Sequence, residues 1–198
     1  MARKSSRNTK GRIVSAAWKL FYENGYEETT VEEIVEESGT SRGSFYHYFP
    51  GKDALLSSLS YLFDEKYTEL EPSLSDDMTA PEKLVYLNRE LFQTVENTVS
   101  IDLLARLLSS QLFSKNDKSL LDHNRIYFKL LRQIILQGQR NGQIRDDIPV
   151  GDIVKAYALL ERALMYDWCM CEGEYSLSQY SGRLLPQLLA GYLQSGRE

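Results

Sequence analysis

The 198-residue sequence predicts an all-α fold. Three observations carry that expectation. Apolar residues recur at helical spacing, as Ile13, Ala16, Ala17, Leu20 and Phe21 do at i, i+3, i+4, i+7 and i+8. Helix start and stop signals punctuate the chain, among them Thr30 with Glu33, Ser176 with Gln179, Gly25 and Gly39. No segment shows the apolar–polar alternation of a half-buried strand.

Taken in order, the first helix carries the Ile13–Phe21 stripe and stops at Gly25. Thr30 caps the second, Glu33 closes a capping box, Ile34 and Val35 give it an apolar side, and Gly39 ends it. Thr40 or Ser41 caps a third helix, which runs through Arg42, Gly43, Ser44, Phe45, Tyr46, His47, Tyr48 and Phe49. A longer helix is expected from Lys52 to Leu70, with Leu55, Leu59, Leu62, Phe63 and Tyr67 inward. After a polar break, Pro81 opens a helix bearing Leu84, Leu87, Leu91, Phe92 and Val95. Ile101–Phe113 forms a short apolar helix, the SKNDKS segment a loop, and Leu120–Arg140 a long helix ended by Asn141-Gly142. Residues Ile153 to Cys171 are apolar on nearly every side, as a helix buried on two faces would be. The last helix follows the Ser176 capping box and carries Pro186, which should kink it or remove a backbone bond.

The second and third helices, joined by a tight turn, read as a helix-turn-helix. The third is small and polar at its start and aromatic further on. Short side chains let a backbone approach a major groove, while hydroxyls and an arginine fork reach phosphates and base edges. Phe45 and Phe49 suit the core instead, against Leu20, Phe21 and Ile34.

These residues resemble the TetR family of bacterial transcriptional regulators. The TTVEEI, SRGSFYHYF and GKDALL segments carry the likeness, with Ile13, Ala16, Ala17, Leu20, Phe21 and Gly25 before them. It spans roughly Lys10 to Leu56; Val35 and Ser38 stand where the family commonly has alanine. The resemblance implies an N-terminal three-helix DNA-binding domain, residues 1–56, and a C-terminal helical ligand-binding and dimerisation domain, residues 57–198. It also implies a dimeric repressor on a palindromic double-stranded operator, released by a small-molecule effector. Thr30 and Thr40, at helix starts, are then candidates for phosphate contact and Ser41 and Ser44 for DNA contact, with Arg42 for a guanine edge and Gly43 for close backbone approach. Tyr46 and Tyr48 fall at family positions that touch phosphate or a thymine methyl, His47 beside them, and Lys52 is expected to anchor a phosphate. Leu104, Leu107, Tyr127, Arg162, Tyr166 and Trp168 are candidate pocket residues. The polar groups on the Tyr157–Trp168 stretch could equally be satisfied internally, as Glu161 and Arg162, or sit at a dimer seam. Tyr180, Leu184, Leu188 and Tyr192 are the candidate dimer contacts.

Charge distribution agrees with a DNA ligand. The chain carries −5 and residues 1–12 carry +5 through Arg3, Lys4, Arg7, Lys10 and Arg12, which leaves −10 for the remainder. A basic arm on an acidic body suits focused phosphate contact, against the plainer reading of a solvated tail. No stretch nears the ~20 apolar residues needed to span a bilayer, and no leader is evident, so a cytoplasmic location is expected. Cys169 and Cys171 are expected to be buried reduced thiols rather than redox sensors, and with only His47 and His123 they make no metal set. No phosphate loop or nucleophile elbow points to an enzyme, and no cofactor is expected. The alternative function is a helical protein-interaction module that keeps the helix-turn-helix for packing.

Overall fold

The structure, a computed structural model, describes residues 2–113 and 118–193, with side chains from Thr9 onward. Arg3, Lys4 and Arg7 of the basic arm, and residues 114–117 of the expected loop, lie outside the described side chains. The described residues form nine α-helices linked by turns and short 3₁₀ segments; their only β pairing is an isolated bridge between Ile144 and Leu193. None of these helices is long and apolar enough to cross a membrane. The chain divides into two compact units, residues 1–61 with 102–120, and residues 62–101 with 121–198.

The first unit contains α1 (Ala2–Asn24), α2 (Val31–Glu37), α3 (Arg42–Tyr48) and, from its second residue on, α6 (Ile101–Phe113). Ile13, Ala17, Phe21, Ile34, Phe45, Leu55 and Leu59 are withdrawn from solvent, each large side chain contributing roughly 1.5–3 kcal/mol. The Thr30–Glu33 capping box forms as expected, with the Thr30 amide donating to Glu33 Oε2 at 2.7 Å. Gly39 takes a φ of +56°, the left-handed turn that separates α2 from α3. Ser38, buried where alanine is common, satisfies its hydroxyl on Val35 O at 3.1 Å and Thr40 Oγ1 at 2.8 Å.

The expected helix from Lys52 to Leu70 begins instead as a 3₁₀ segment, Lys52–Ser58, before α4 (Leu59–Leu70). Ser57 and Ser60 turn their hydroxyls back onto the carbonyls of Ala54 and Ser57, and Ser58 onto that of Leu55. Such i−3 back-bonding competes with the regular ladder and tightens the turn.

The second unit contains the remainder of α4, α5 (Ala80–Thr98), α7 (Ile126–Arg140), α8 (Val150–Met170) and α9 (Leu177–Leu189). Helix α5 opens on a second capping box, Thr79 with Glu82, that complements Pro81 in its first turn. Helix α7 starts later than expected. Asp122 accepts from the Asn124 amide at 2.9 Å, and the chain turns before Arg125 is drawn inward. Gly138 permits α7 to meet the start of α5, since a Cβ there would fall 2.6 Å from Ala80 Cβ. Helix α9 continues through Pro186 to Leu189. Only half of its expected cap forms, Ser176 Oγ accepting from Gln179 N at 3.3 Å, and Glu96 of α5 supplies the rest through the Leu177 amide and Ser178 hydroxyl, each at 2.5 Å. A carboxylate there also favours the helix dipole.

Candidate nucleic-acid interface

Helix α3 presents one polar face to solvent. Ser41 is its N-cap and accepts from the Ser44 amide at 3.1 Å, while Ser41 and Ser44 hydroxyls lie 2.9 Å apart. Of the two possible caps, Thr40 is therefore not the one used, and its half-buried hydroxyl pairs with Ser38. Arg42, Gly43, Tyr46 and His47 are all exposed, while Phe45 on the opposite side is fully buried and Phe49 nearly so. The expected split between a reading face and a packing face is thus present on this helix.

Gly43 is informative because nothing inside the protein requires it. A Cβ there would meet only Ser41 Oγ, at 3.9 Å, and its φ lies outside the left-handed range. Its missing side chain leaves room on the outer surface, where an approaching backbone would need it.

Arg42 does not stand alone. Its Nη1 lies 3.1 Å from Glu32 Oε1 of α2, and its guanidinium is 5.8 Å from the Tyr46 ring centroid. Both charged side chains are more than 60% exposed, so the pair is a weak one that water and salt screen. His47 packs edge-on to half-buried Tyr48, with centroids 4.8 Å apart. Thr30 is exposed, but its hydroxyl donates to Glu33 Oε2 at 2.8 Å, within the box. The Thr30 hydrogen bonds hold the Glu33 carboxyl below its usual range.

Lys52 occupies a different place from the expected phosphate anchor. Its ammonium donates to the carbonyls of Tyr26 at 2.6 Å, Glu27 at 3.1 Å and Thr29 at 3.0 Å, and lies 4.4 Å from the Tyr26 ring centroid. Three donors meet three acceptors, so the side chain clasps the loop that leads into α2. Tyr26 donates to Asp53, and burial pushes its phenol well above the ordinary range. Arg106 of α6 approaches the same ring at 5.0 Å and pairs with Glu27 at 2.7 Å and Asp102 at 2.8 Å.

Arg12, counted with the basic arm, is likewise committed. Its Nη2 donates to Ser38 O at 2.5 Å and Gly39 O at 2.8 Å, closing the carbonyl end of α2. The roles of Arg12, Tyr26 and Arg106 carry no sequence signal, because each depends on elements that come together only on folding.

Among the candidate pocket residues, Leu104 and Leu107 are fully buried in the first unit, whereas Tyr127, Arg162, Tyr166 and Trp168 belong to the second. Tyr166 is 47% exposed, and Trp168 Nε1 donates to Tyr175 O at 2.8 Å. Tyr127 does join a buried polar cluster. Its hydroxyl donates to Glu161 Oε2 at 2.5 Å, Asn88 Nδ2 donates to Glu161 Oε1 at 2.8 Å, and the Tyr157 hydroxyl donates to Leu84 O at 2.8 Å. Burial raises the Glu161 carboxyl above its ordinary range, against the lowering effect of the Asn88 and Tyr127 hydrogen bonds. Nearby, Arg125 holds Asp64 in a buried pair at 3.0–3.2 Å. Asn88, Tyr67, Asp64 and Arg125 were not legible as a site from the sequence, since each lies singly within an ordinary helical pattern. Cys169 and Cys171 are free thiols but half-buried, not buried as expected; the partial burial still raises the Cys169 thiol to about 11, which disfavours a reactive thiolate.

Residues 13–59 match the model for bacterial regulatory proteins of the tetR family, over the helices just described. Over these residues the chain carries a TetR-family DNA-binding region. Similarity extends along most of its length. The fatty acid metabolism regulator protein of Bacillus subtilis is 25% identical over 187 residues, covering 91% of this chain and 93% of that protein. The transcriptional repressor KstR2 of Mycobacterium tuberculosis is 25% identical over 197 residues, covering 94% of each. Among solved structures, FadR of Thermus thermophilus, a TetR-family repressor in complex with lauroyl-CoA, superposes with a TM-score of 0.74 at 25% identity, over 91% of this chain and 92% of that one. With relatives that are transcriptional regulators along its length, the chain is a DNA-binding transcriptional regulator.

Proposed function

We propose that this TetR-family regulator is a dimeric repressor that lays α3 in the major groove of a palindromic operator and is released by a small molecule bound in its larger helical domain. The observation that carries the DNA reading is the exposed face of α3, where Arg42, Tyr46 and His47 surround a glycine that packing does not need. Arg42 reads a base edge after exchanging Glu32 for the base, and Ser41, Ser44 and Tyr46 hold phosphates on either side. Thr30, Thr40 and Tyr48 flank this face, and Lys52 serves it indirectly by fixing the loop into α2.

Dimerisation rests on a second observation. Leu159, Ala163, Tyr166 and Met170 form an exposed stripe on α8 at i, i+4, i+7 and i+11, and Tyr180 and Leu188 are exposed on α9 with Leu184 between them. Leu185 and Leu189 turn inward instead, so the wide apolar stripe of α9 is divided between its own unit and an outer face. Contiguous apolar surface of this kind marks an interface, and pairing with a second copy gives a four-helix seam that includes Tyr192 at its end.

For the effector, the acyl-CoA complex of the Thermus relative and the fatty-acid name of the Bacillus relative make acyl thioesters the first class to try. Fluorescence anisotropy on an operator recovered by selection tests the reading. Release by octanoyl-CoA or another small molecule is the expected result, and a protein–operator complex that no ligand weakens contradicts effector control.

A further inference from the structure

The core of the second unit holds polar groups that its own packing leaves incomplete. Four helices contribute to one cluster, Tyr67 from α4, Asn88 from α5, Tyr127 from α7, and Tyr157 with Glu161 from α8, and none of the five is more than 7% exposed. Glu161 accepts from Tyr127 and Asn88, and no lysine or arginine among the described residues forms an ion pair with it. Arg125, one of two buried cations among the described residues of this unit beside Lys83, is paired with Asp64. Two further atoms, the Tyr67 hydroxyl and Asn88 Oδ1, are buried with no hydrogen-bond partner. An unpaired buried acceptor and a buried carboxylate that has hydrogen bonds but no ion pair each cost folding free energy, so their convergence on one spot asks for an explanation.

The open valences are weighted towards acceptors. The donors of Tyr127 and Tyr157 are used on Glu161 and Leu84 O. What remains is acceptor capacity on Asn88 Oδ1 and the Glu161 carboxylate, and one hydroxyl, that of Tyr67, which can accept as well as donate. Aromatic rings border it, with Tyr67 and Tyr127 centroids 5.1 Å apart and Tyr127 and Phe128 4.8 Å apart. Buried Leu84, Leu87 and Leu91 flank Asn88 along α5. Negative charge, three acceptors and aromatic faces suit an organic cation, whereas a carboxylate or phosphate head group would face Glu161 with no spare positive charge.

We propose that this cluster is the head-group site of the effector, and that the effector carries a protonated amine on an apolar body. Its three N–H donors match Glu161, Asn88 Oδ1 and the Tyr67 oxygen. The proposal rests on the reading of the chain as an effector-released regulator and narrows the effector to a class other than the acyl thioesters named with its relatives.

The test is calorimetric titration of the full chain with octylammonium, octanol and octanoate, which share one tail and differ in head-group charge. Octylammonium is expected to bind at least tenfold more tightly than either analogue. Glu161→Gln should abolish that preference. Tyr67→Phe removes a hydroxyl that has no partner in the apo fold, so it should leave folding intact and weaken octylammonium several-fold. Equal binding of octanol and octylammonium, no binding of any of the three to folded protein, or indifference to both substitutions overturns the proposal. The cluster is then a structural network completed by ordered water. Operator binding is measured separately: retained operator specificity with no response to octylammonium removes only this site, whereas loss of operator preference removes the regulator reading and leaves the calorimetry to decide the site.

Discussion

The proposed function gives Arg42 most of the sequence discrimination of α3, and the structure adds a competitor that sequence reading did not reveal. Glu32 holds its guanidinium in the free protein, so binding exchanges one charge-assisted contact for another. Arg42→Ala should cost about 1–3 kcal/mol on the cognate site and relax preference at one base position. Equal loss on every duplex in a competition assay would reduce Arg42 to a phosphate contact. Glu32→Gln removes the competing charge and should tighten binding by up to about 1 kcal/mol at low salt; unchanged or weaker affinity would show that the pair organises the reading face instead. Lys52→Ala leaves three carbonyls without their donor, so it should lower the stability of the first unit by about 1–3 kcal/mol with little change in salt slope. A slope reduced by about one at unchanged melting temperature would restore the phosphate role. The exposure of Arg42 was legible from its residue type and its position on the polar side of α3. The place of Lys52 was not, because an ammonium at a helix start serves a phosphate or a carbonyl nest equally well until the loop from Tyr26 to Thr29 is in place.

Glu161 supplies a prediction in pH. Its folded pKa is raised, so the native state binds this proton more tightly than the unfolded chain does. The resulting stabilisation is complete below the unfolded carboxyl pKa and is lost as pH rises through the folded value. The groups around it are Tyr67, Tyr127 and Tyr157, with Asn88 neutral, Arg162 next in sequence, and Asp64 paired to Arg125. Glu161→Gln should therefore flatten the acid-side rise in melting temperature and keep the protein at least as stable at neutral pH. A variant markedly less stable at neutral pH would mean that the ionised carboxylate is a net contributor.

At the scale of elements, most helices could be read in advance because their starts and stops are local. The Thr30–Glu33 box, Gly39 and the inward face of α5 involve only neighbours in sequence, and Ser41→Ala should cost about 1 kcal/mol of head stability by removing the α3 cap. A denaturation midpoint unmoved by that change would show that the cap is dispensable. The departures have non-local or competing causes. Serine hydroxyls tighten the start of the expected Lys52 helix into a 3₁₀ segment, Asp122 delays α7, and Glu96, distant in sequence, caps α9. The same reasoning explains the pocket residues. Helical periodicity shows that a side chain faces inward, but which helix it meets depends on tertiary packing, so Leu104 and Tyr127 could not be assigned to different units beforehand.

For the whole molecule, the account requires two reading heads held at a set distance, because one helix-turn-helix reads too few bases. Half-sites should lie roughly one turn, ~34 Å, apart or a multiple of it. Leu188→Glu on the exposed face of α9 should yield a folded monomer by light scattering with operator affinity lost at both half-sites together. A dimer that survives this change places the seam elsewhere. The most direct measurement is selection from random duplex DNA at physiological salt, followed by sequencing of what the protein retains, run in parallel on the Arg42→Ala variant. The expected result is a palindrome whose half-sites lose definition at one position in the variant. Recovery of no enriched sequence by a folded dimer would contradict it.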